Sequence, residues 1–393
     1  MIFSITNHIM PRSRLKIRKS FSFLKSFYSI KKYSIIKDSL HDILTIKEGA
    51  EEKIVLQKIS KISSGGNITL KSNDINLLTF KSATITEGSD FIRLKNNKIY
   101  NPYFNFNVNR YFITTSPDYI KRKNDIYFLK KIKTTREIEI AFNLVSSNNS
   151  WSHFLGLVAP KIQYLSKLNS NKKISIVTNS IKDSQILEIL NIEVSKFKNI
   201  SLVNLKEGES IQCKILYHIE LDSYIAIHGF LSSPYGIFIS KTTRDYWRNL
   251  RDRLIINPQP QTLKLFIGRK GRRNILNYNE IRDFFVNKDF LEIFPEDYSL
   301  SEKARMFNSA SHIVGPASSG FTNIIFCQKS TKVVWFINFA RVIDTYIATY
   351  CEEENISLFA LTGKDQYPED LDSNTFINID LIKSYFNNSY FEN

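Results

Sequence analysis

The rhythm of hydrophobic and polar positions changes near residue 150. Across residues 60–115, short apolar segments alternate or pair between polar turns, as in Asn67–Leu70, Leu77–Phe80 and Phe91–Leu94. That texture predicts β-strands. Thr134–Ser147 reads as a helix, because Thr134 and Glu137 stand at capping-box spacing. Beyond residue 150 strand and helix signals alternate. Lys172–Thr178, Ile200–Asn204 and Lys214–His218 read as strands, with a helix over Asp183–Leu190. Residues 240–254 predict a basic helix with Trp247, Leu250 and Leu254 on one face and Arg244, Arg248 and Arg251 on another. Asn257-Pro258-Gln259-Pro260 then breaks the chain.

After that break the alternation is regular. Leu263–Ile267, Phe290–Phe294, Ile313–Gly315, Val333–Ile337 and Leu358–Leu361 read as strands. Asn277–Val286, Leu300–Ala310, Thr322–Cys327 and Ile343–Glu354 read as helices. This predicts an α/β chain whose second part is a parallel sheet wrapped by helices. Four segments follow: a basic arm (1–40), a first domain (41–256) with a β-rich N-terminal portion, a second domain (261–365), and a C-terminal piece (366–393). The helix within Asn374–Asn393 is expected to pack back on the first domain.

Composition narrows the picture. The chain has 393 residues, 42% of them hydrophobic, enough for two ordinary cores. Cys213, Cys327 and Cys351 are scattered, which fits neither a disulfide framework nor a zinc site and suits a reducing compartment. No apolar run reaches the roughly 18–20 residues of a membrane span, and no secretory signal is expected. Net charge is +16, yet residues 1–37 hold nine Lys/Arg and no acid, while the rest carries 45 bases against 38 acids. The arm mixes bases with Phe21, Phe23, Leu24, Phe27 and Tyr28. Such a mixture suits an anionic membrane surface, a nucleic acid or a merely solvated arm.

Ligand-binding loops of parallel sheets lie at strand carboxyl ends. Three candidates fall there. In Gly315-Pro316-Ala317-Ser318-Ser319-Gly320, small residues precede a helix, so backbone N–H groups can approach an anion. Gly268-Arg269-Lys270-Gly271-Arg272-Arg273 follows a strand, and Arg269 or Arg273 can neutralise a pyrophosphate; a solvated basic turn is the plainer reading. Phe294–Asp297 is the third. Glu302 closes the capping box Ser299-Leu300-Ser301-Glu302 and is also suited to ribose hydroxyls; Glu280 stands similarly after Asn277. His153, beside Trp151 and Phe154, is either a structural imidazole or a general base. Asp370 and Asp372 match a DxD pair in a polar segment, and no His/Cys spacing suits a metal. Ser318 and Ser319 lack a motif-level base, which disfavours a hydrolase triad.

Together these motifs resemble glycosyltransferase family 61. Trp151-x-His153-Phe154-Leu155 with Ala159-Pro160 is similar to its HF/HW-L…LP motif. Phe266-Ile267-x-Arg269, Arg272-Arg273, Ile275, Asn277 and Glu280 resemble its ISR…RR-I-N-E segment. Ser299-Leu300-Ser301-Glu302 resembles its SL-EQ helix, and Val314-Gly315-Pro316 with Gly320-Phe321-Thr322-Asn323 its VGPHGAGLTN loop. Order and spacing agree over roughly residues 145–340. This chain departs at Ala317, where the family has His, at Ser318, where it has Gly, and at Lys303, where it has Gln. The resemblance implies a GT-B-like fold, two Rossmann-type domains facing a cleft, and an inverting transferase with a nucleotide-sugar co-substrate and no essential metal or other cofactor. It implies donor contacts from Arg269, Arg273, Glu302, Gly315, Pro316, Ser318, Ser319, Gly320 and Asn323, and catalytic roles for His153 and Arg269. Its bacterial members imply surface or capsular polysaccharide synthesis in the cytoplasm, with a glycan or lipid-linked acceptor and peripheral contact with an anionic membrane; no nucleic acid is expected. Ala317 keeps a catalytically silent glycan- or nucleotide-binding relative open. The arm and the basic turn keep a nucleic-acid-binding protein open, less favoured.

Overall fold

Two large sheets organise the chain. The computed structural model describes residues 30–35, 42–56, 66–100, 116–117, 119–123, 126–168, 172–225, 237–338, 347–367 and 373–387. The first sheet is built around β1 (Ile75–Thr86), β2 (Arg136–Asn143), β3 (Ile174–Thr178), β4 (Ile200–Asn204) and β5 (Ser210–Glu220). Strands β4-β3-β2-β5 are parallel neighbours, so in chain order they stand 3-2-1-4, and β1 joins β5 antiparallel. Shorter strands extend that edge; Ile30–Ile35 pairs in parallel with Lys98–Tyr100 and antiparallel with Ile126–Lys130. Ile30–Ile35 lies within the predicted arm and is a strand of the sheet; residues 1–29 lie outside the described residues.

Strand β2 corrects the helix expected over Thr134–Ser147. Glu137–Ile140 alternates charged and apolar side chains, and the last four positions of β2 are buried. A strand paired in parallel on both sides is covered on both faces, which favours such a run. Its first turn makes no capping box. Thr135 Oγ1 donates to Glu209 Oε1 at 2.9 Å and Arg136 Nε to the same oxygen at 3.0 Å.

The second sheet is wholly parallel: β6 (Leu263–Ile267), β7 (Leu291–Ile293), β8 (Ala310–Pro316), β9 (Lys332–Ile337) and β10 (Ser357–Thr362), in spatial order β7-β6-β8-β9-β10. Chain order is therefore 2-1-3-4-5. The direction of winding reverses between β6 and β8, and in open sheets the crevice at such a reversal is where ligands bind.

The helices fall close to the predicted segments. Helix α1 (Ser184–Val194) starts at Asp183, whose carboxylate accepts from Gln185 N at 2.9 Å. Helix α2 (Lys241–Leu254) buries Trp247 and Leu250, as its periodicity requires. Its arginines form a paired cluster. Arg244 is 2% exposed and bonds Glu353 at 2.9 Å, Arg248 bonds Glu354 at 2.6 Å, and Arg251 bonds Glu354 at 2.5 Å. Glu353 closes helix α5 (Ala348–Glu353) and Glu354 caps it, so the cluster clamps α2 to the second sheet's flank. Helices α3 (Tyr278–Val286) and α4 (Leu300–Asn308) follow β6 and β7. The C-terminal helix α6 (Ile379–Asn387) departs from expectation. Ile382, Ile379 and Tyr385 pack with Phe266, Phe285 and Phe359, so it covers the second sheet instead of returning to the first half. The apolar groups it must bury lie on the nearest uncovered face of the sheet it follows in sequence.

One apolar core joins the two halves. Phe154, Leu155 and Trp247 belong to the same buried cluster as Phe321, Ile324 and Trp335. Among the described residues, no helix is long and apolar enough to cross a membrane.

Candidate functional site

The crevice between the carboxyl ends of β6 and β8 is built by close backbone approach. A methyl group on Gly315 would lie 2.5 Å from the Ile267 carbonyl oxygen, and one on Gly268 would lie 2.5 Å from the Phe294 ring. Glycine at 315 lets the ends of β6 and β8 sit this near each other, and glycine at 268 leaves room for the Phe294 ring beyond β7. Arg269 leaves β6 and crosses the gap: its Nη1 donates to the Ala317 carbonyl at 2.7 Å, and its Nε donates to the Arg272 carbonyl. Arg273 lines a small cavity with Pro316, Ala317 and Asn338. Both predicted arginines thus converge on the small-residue turn after β8.

That turn enters a short 3₁₀ helix, Ser319–Phe326, with Ser318 as its N-cap. Phe321 N is bonded to Ser318 O at 3.0 Å, so the N–H groups of Ser319 and Gly320 precede the first intrahelical bond. Ser318, Ser319 and Gly320 are half-buried, and Gly320 lies against the Pro295 ring at the end of β7. The ends of β6 and β8 therefore bring a guanidinium onto the turn that opens the short helix, a chemistry suited to a diphosphate. Lys270 is turned elsewhere, to Asp297 at 2.7 Å.

Glu302 sits at the start of α4 in a complete capping box. Ser299 N donates to its Oε2 at 2.9 Å, and Ser299 Oγ accepts from Glu302 N. These bonds hold the exposed carboxyl below its ordinary range. The structural half of the sequence reading is met; the carboxylate remains at the surface beside the loop ends. Glu280 differs. Asn277 makes no side-chain cap to its helix; its amide bonds Glu280 at 2.7 Å and Ile377 O at 2.8 Å, tying α3 to the C-terminal segment.

His153 closes a single α-turn, Trp151–His153, followed by a π-turn over Phe154–Val158 and a 3₁₀ stretch over Ala159–Lys167. Pro160 has no N–H for the preceding turn, and the helix changes its winding there. The half-buried His153 ring bonds Ser150 Oγ through Nδ1 at 2.7 Å. This turn touches the loop after β8. Trp151 Nε1 donates to Asn323 Oδ1 at 3.0 Å, and Ser152 Oγ lies 3.5 Å from Ser319 Oγ. His153 and the small-residue loop, far apart in sequence, are brought to one junction.

Asn323 is different from the expectation that it binds ligand. It is fully buried, its oxygen taken by Trp151 and its amide nitrogen donating to Gly320 O at 2.8 Å. It is a brace of the junction. Lys303, one of the departures from the family pattern, is a second brace. It is 2% exposed, stands 3.5 Å over the Trp151 ring, and bonds Gln185 Oε1. Burial pushes its ammonium down to about 7. Gln185 in turn donates to Pro295 O at 3.0 Å. No sequence pattern pointed to the contacts of Trp151 with Asn323 and Lys303 or of Gln185 with Lys303 and Pro295, because each joins residues more than a hundred positions apart.

His312 stands at the amino-terminal part of β8, away from the crevice, and bonds Ser311 Oγ at 3.0 Å. His228, Asp370 and Asp372 lie outside the described residues. Among the described residues, no cluster of three or more His, Cys, Asp and Glu side chains is arranged to hold a metal ion. A buried polar group that the sequence did not reveal occupies the ends of β2 and β5. His218 Nδ1 meets the Asn143 amide at 3.1 Å, and burial with the nearby Lys161 charge drives its imidazole well below the ordinary value. Burial also lowers Lys161 to about 8, against the attraction of Asp90 and Glu220.

The family model described as Glycosyltransferase 61 matches residues 92–334, more than half of the chain. The match covers β2, the His153 turn, both walls of the crevice and α4. None of the curated proteins compared matches the chain.

Proposed function

The chain belongs to the glycosyltransferase 61 family and is a glycosyltransferase; on that premise we propose that the crevice between β6 and β8 binds the diphosphate of a nucleotide sugar. The carrying observation is the Arg269 guanidinium spanning to the Ala317 carbonyl, beside the opening N–H groups of Ser319 and Gly320. In this reading the two halves act as a GT-B pair, the second holding the donor and the first the acceptor. Arg273, Gly315, Pro316 and Ser318 complete the phosphate wall, and Glu302 meets the ribose hydroxyls.

His153 is the proposed base. Ser150 Oγ holds its ring through Nδ1 at 2.7 Å, and a neutral imidazole is suited to take the proton from an acceptor hydroxyl. The oxygen attacks the anomeric carbon as the bond to the diphosphate breaks, with inversion. Charge grows on the departing oxygen, so a fixed guanidinium and fixed N–H groups favour the transition state over the ground state. No metal ion is assigned a step, and retention of activity after EDTA treatment is the expected outcome. The acceptor is a glycan or lipid-linked sugar of surface or capsular polysaccharide synthesis, used in the cytoplasm, with the basic arm resting on the inner membrane face.

The test is transfer itself. Purified enzyme is incubated with UDP-, GDP- and CMP-sugars and candidate acceptors, and the product anomer is read by NMR. Inverted product from wild type and at least a hundredfold slower turnover by Arg269→Ala support the reading. Retained configuration, or unchanged turnover in the variant, contradicts it. Ala317, at the position of the family histidine, favours a second reading: a silent relative that binds without transfer. Donor binding with neither transfer nor donor hydrolysis across the panel supports that reading.

A further inference from the structure

A second cavity, of about 370 Å³, lies at the carboxyl ends of β2, β3 and β4 in the first half. It shares no residue with the crevice described above, and its size is within the roughly 300–1,000 Å³ of small-molecule sites. We infer that this cavity is the acceptor subsite and takes one uncharged sugar residue; this rests on the transferase reading.

Three features carry the assignment. The first is location. Asn148 and Asn149 on one wall precede the His153 turn, and Phe154 on another follows it directly. Helix α1, which forms a further wall, reaches the second half through Gln185 and the Pro295 carbonyl. The cavity therefore borders the same junction as the proposed base.

The second is charge. Three carboxylates (Glu87, Asp183, Glu207) and one ammonium (Lys182) line it, a formal balance of −2. A diphosphate would meet net repulsion there, whereas the crevice between β6 and β8 is walled by arginines. Anionic donor and uncharged acceptor are thus sorted to opposite sites by their electrostatics.

The third is the pattern of polar and apolar groups. Phe154 and the neighbouring aliphatic side chains give an apolar surface, and among the described residues the Ser180 hydroxyl, Lys182 ammonium and Glu207 carboxylate make no hydrogen bond or ion pair. A pyranose has the matching arrangement, an apolar C–H face and a rim of hydroxyls that need both donors and acceptors.

The experiment is saturation-transfer NMR with the methyl glycosides of glucose, galactose, mannose and N-acetylglucosamine, and with glucose 6-phosphate as the anionic control. Full-length wild type is expected to give a signal with at least one glycoside and none with the phosphate. Ser180→Trp, which fills the cavity, is expected to abolish that signal while UDP-, GDP- or CMP-sugar binding stays as in wild type. If that variant misfolds, the surface pair Lys182→Ala with Glu207→Ala is expected to weaken the glycoside about tenfold. No glycoside signal in wild type, an equal signal in the variants, or preference for the phosphate overturns the assignment. Absence of every nucleotide sugar from wild type instead overturns the donor reading, and the glycoside signals still decide the cavity.

Discussion

At Gly315 an added methyl group has no room, since the Ile267 carbonyl oxygen would be 2.5 Å away. Gly315→Ala is therefore expected to force β6 and β8 apart and to cost about 1–3 kcal/mol, read as a lower melting temperature together with weaker nucleotide-sugar binding. An unchanged melting temperature would show that the strand ends have more freedom than the structure gives them. Lys303 presents the opposite situation, a charge where the fold favours none. Its folded value of about 7 lies below the ordinary 10.5 because burial disfavours the ammonium. The unfolded chain then binds more protons between those values, so this group's burden on stability grows as pH falls from about 10.5 to about 7 and is constant below. Lys303→Gln keeps a donor for Gln185 and removes the charge. It is expected to be more stable than wild type by about 1–4 kcal/mol at pH 6 by chemical denaturation, with the gap narrowing towards pH 10. A gap that does not vary with pH would contradict the argument. The place of Arg269 at the carboxyl end of β6 was legible from sequence, because the largely apolar run Leu263–Ile267 ends just before it. Lys303 was not, because its burial depends on Trp151 and Gln185 arriving from elsewhere.

Among the elements, the second sheet could be read strand by strand. Its short parallel strands are mostly apolar, and Pro, Gly and Asn mark nearly every end. Strand β2 could not be read in this way. Thr134 and Glu137 imitate a helix cap, while the alternation of Glu137–Ile140 is the signal the strand obeys. The C-terminal helix was recognised as a helix and assigned to the wrong face, since amphipathicity tells that a face is buried and not against what. The His153 turn and the Ser319–Phe326 helix form the junction between halves, and Trp151 is its main tie. Trp151→Phe deletes the Nε1 donor and leaves the buried Asn323 oxygen unsatisfied. This is expected to cost about 1–3 kcal/mol and to slow turnover with little effect on nucleotide-sugar affinity. Denaturant unfolding and steady-state kinetics measure the two effects. A stability equal to wild type would mean that the bond does not hold the junction.

For the whole molecule, several buried bases act in the same direction. His218 is held neutral, and Lys161 and Lys303 are lowered to about 8 and about 7. All three have folded values below their unfolded ones, so each favours unfolding more as pH falls: the lysines through about 10.5 to 7, His218 below 6.5. Chemical denaturation is expected to give greater stability at pH 9 than at pH 6, and the reverse order would contradict these assignments. The distribution of charge also sorts the molecule by function. Arginines of α2 are matched by Glu353 and Glu354, while the arginines at the end of β6 face a crevice. That crevice is the centre of the account, and isothermal titration of UDP-, GDP- and CMP-sugars into wild type and Arg269→Ala tests it most directly. One nucleotide series is expected to bind wild type, and the variant to bind it at least about tenfold more weakly, the loss of a charge-assisted bond. Equal affinity in the two proteins would contradict it.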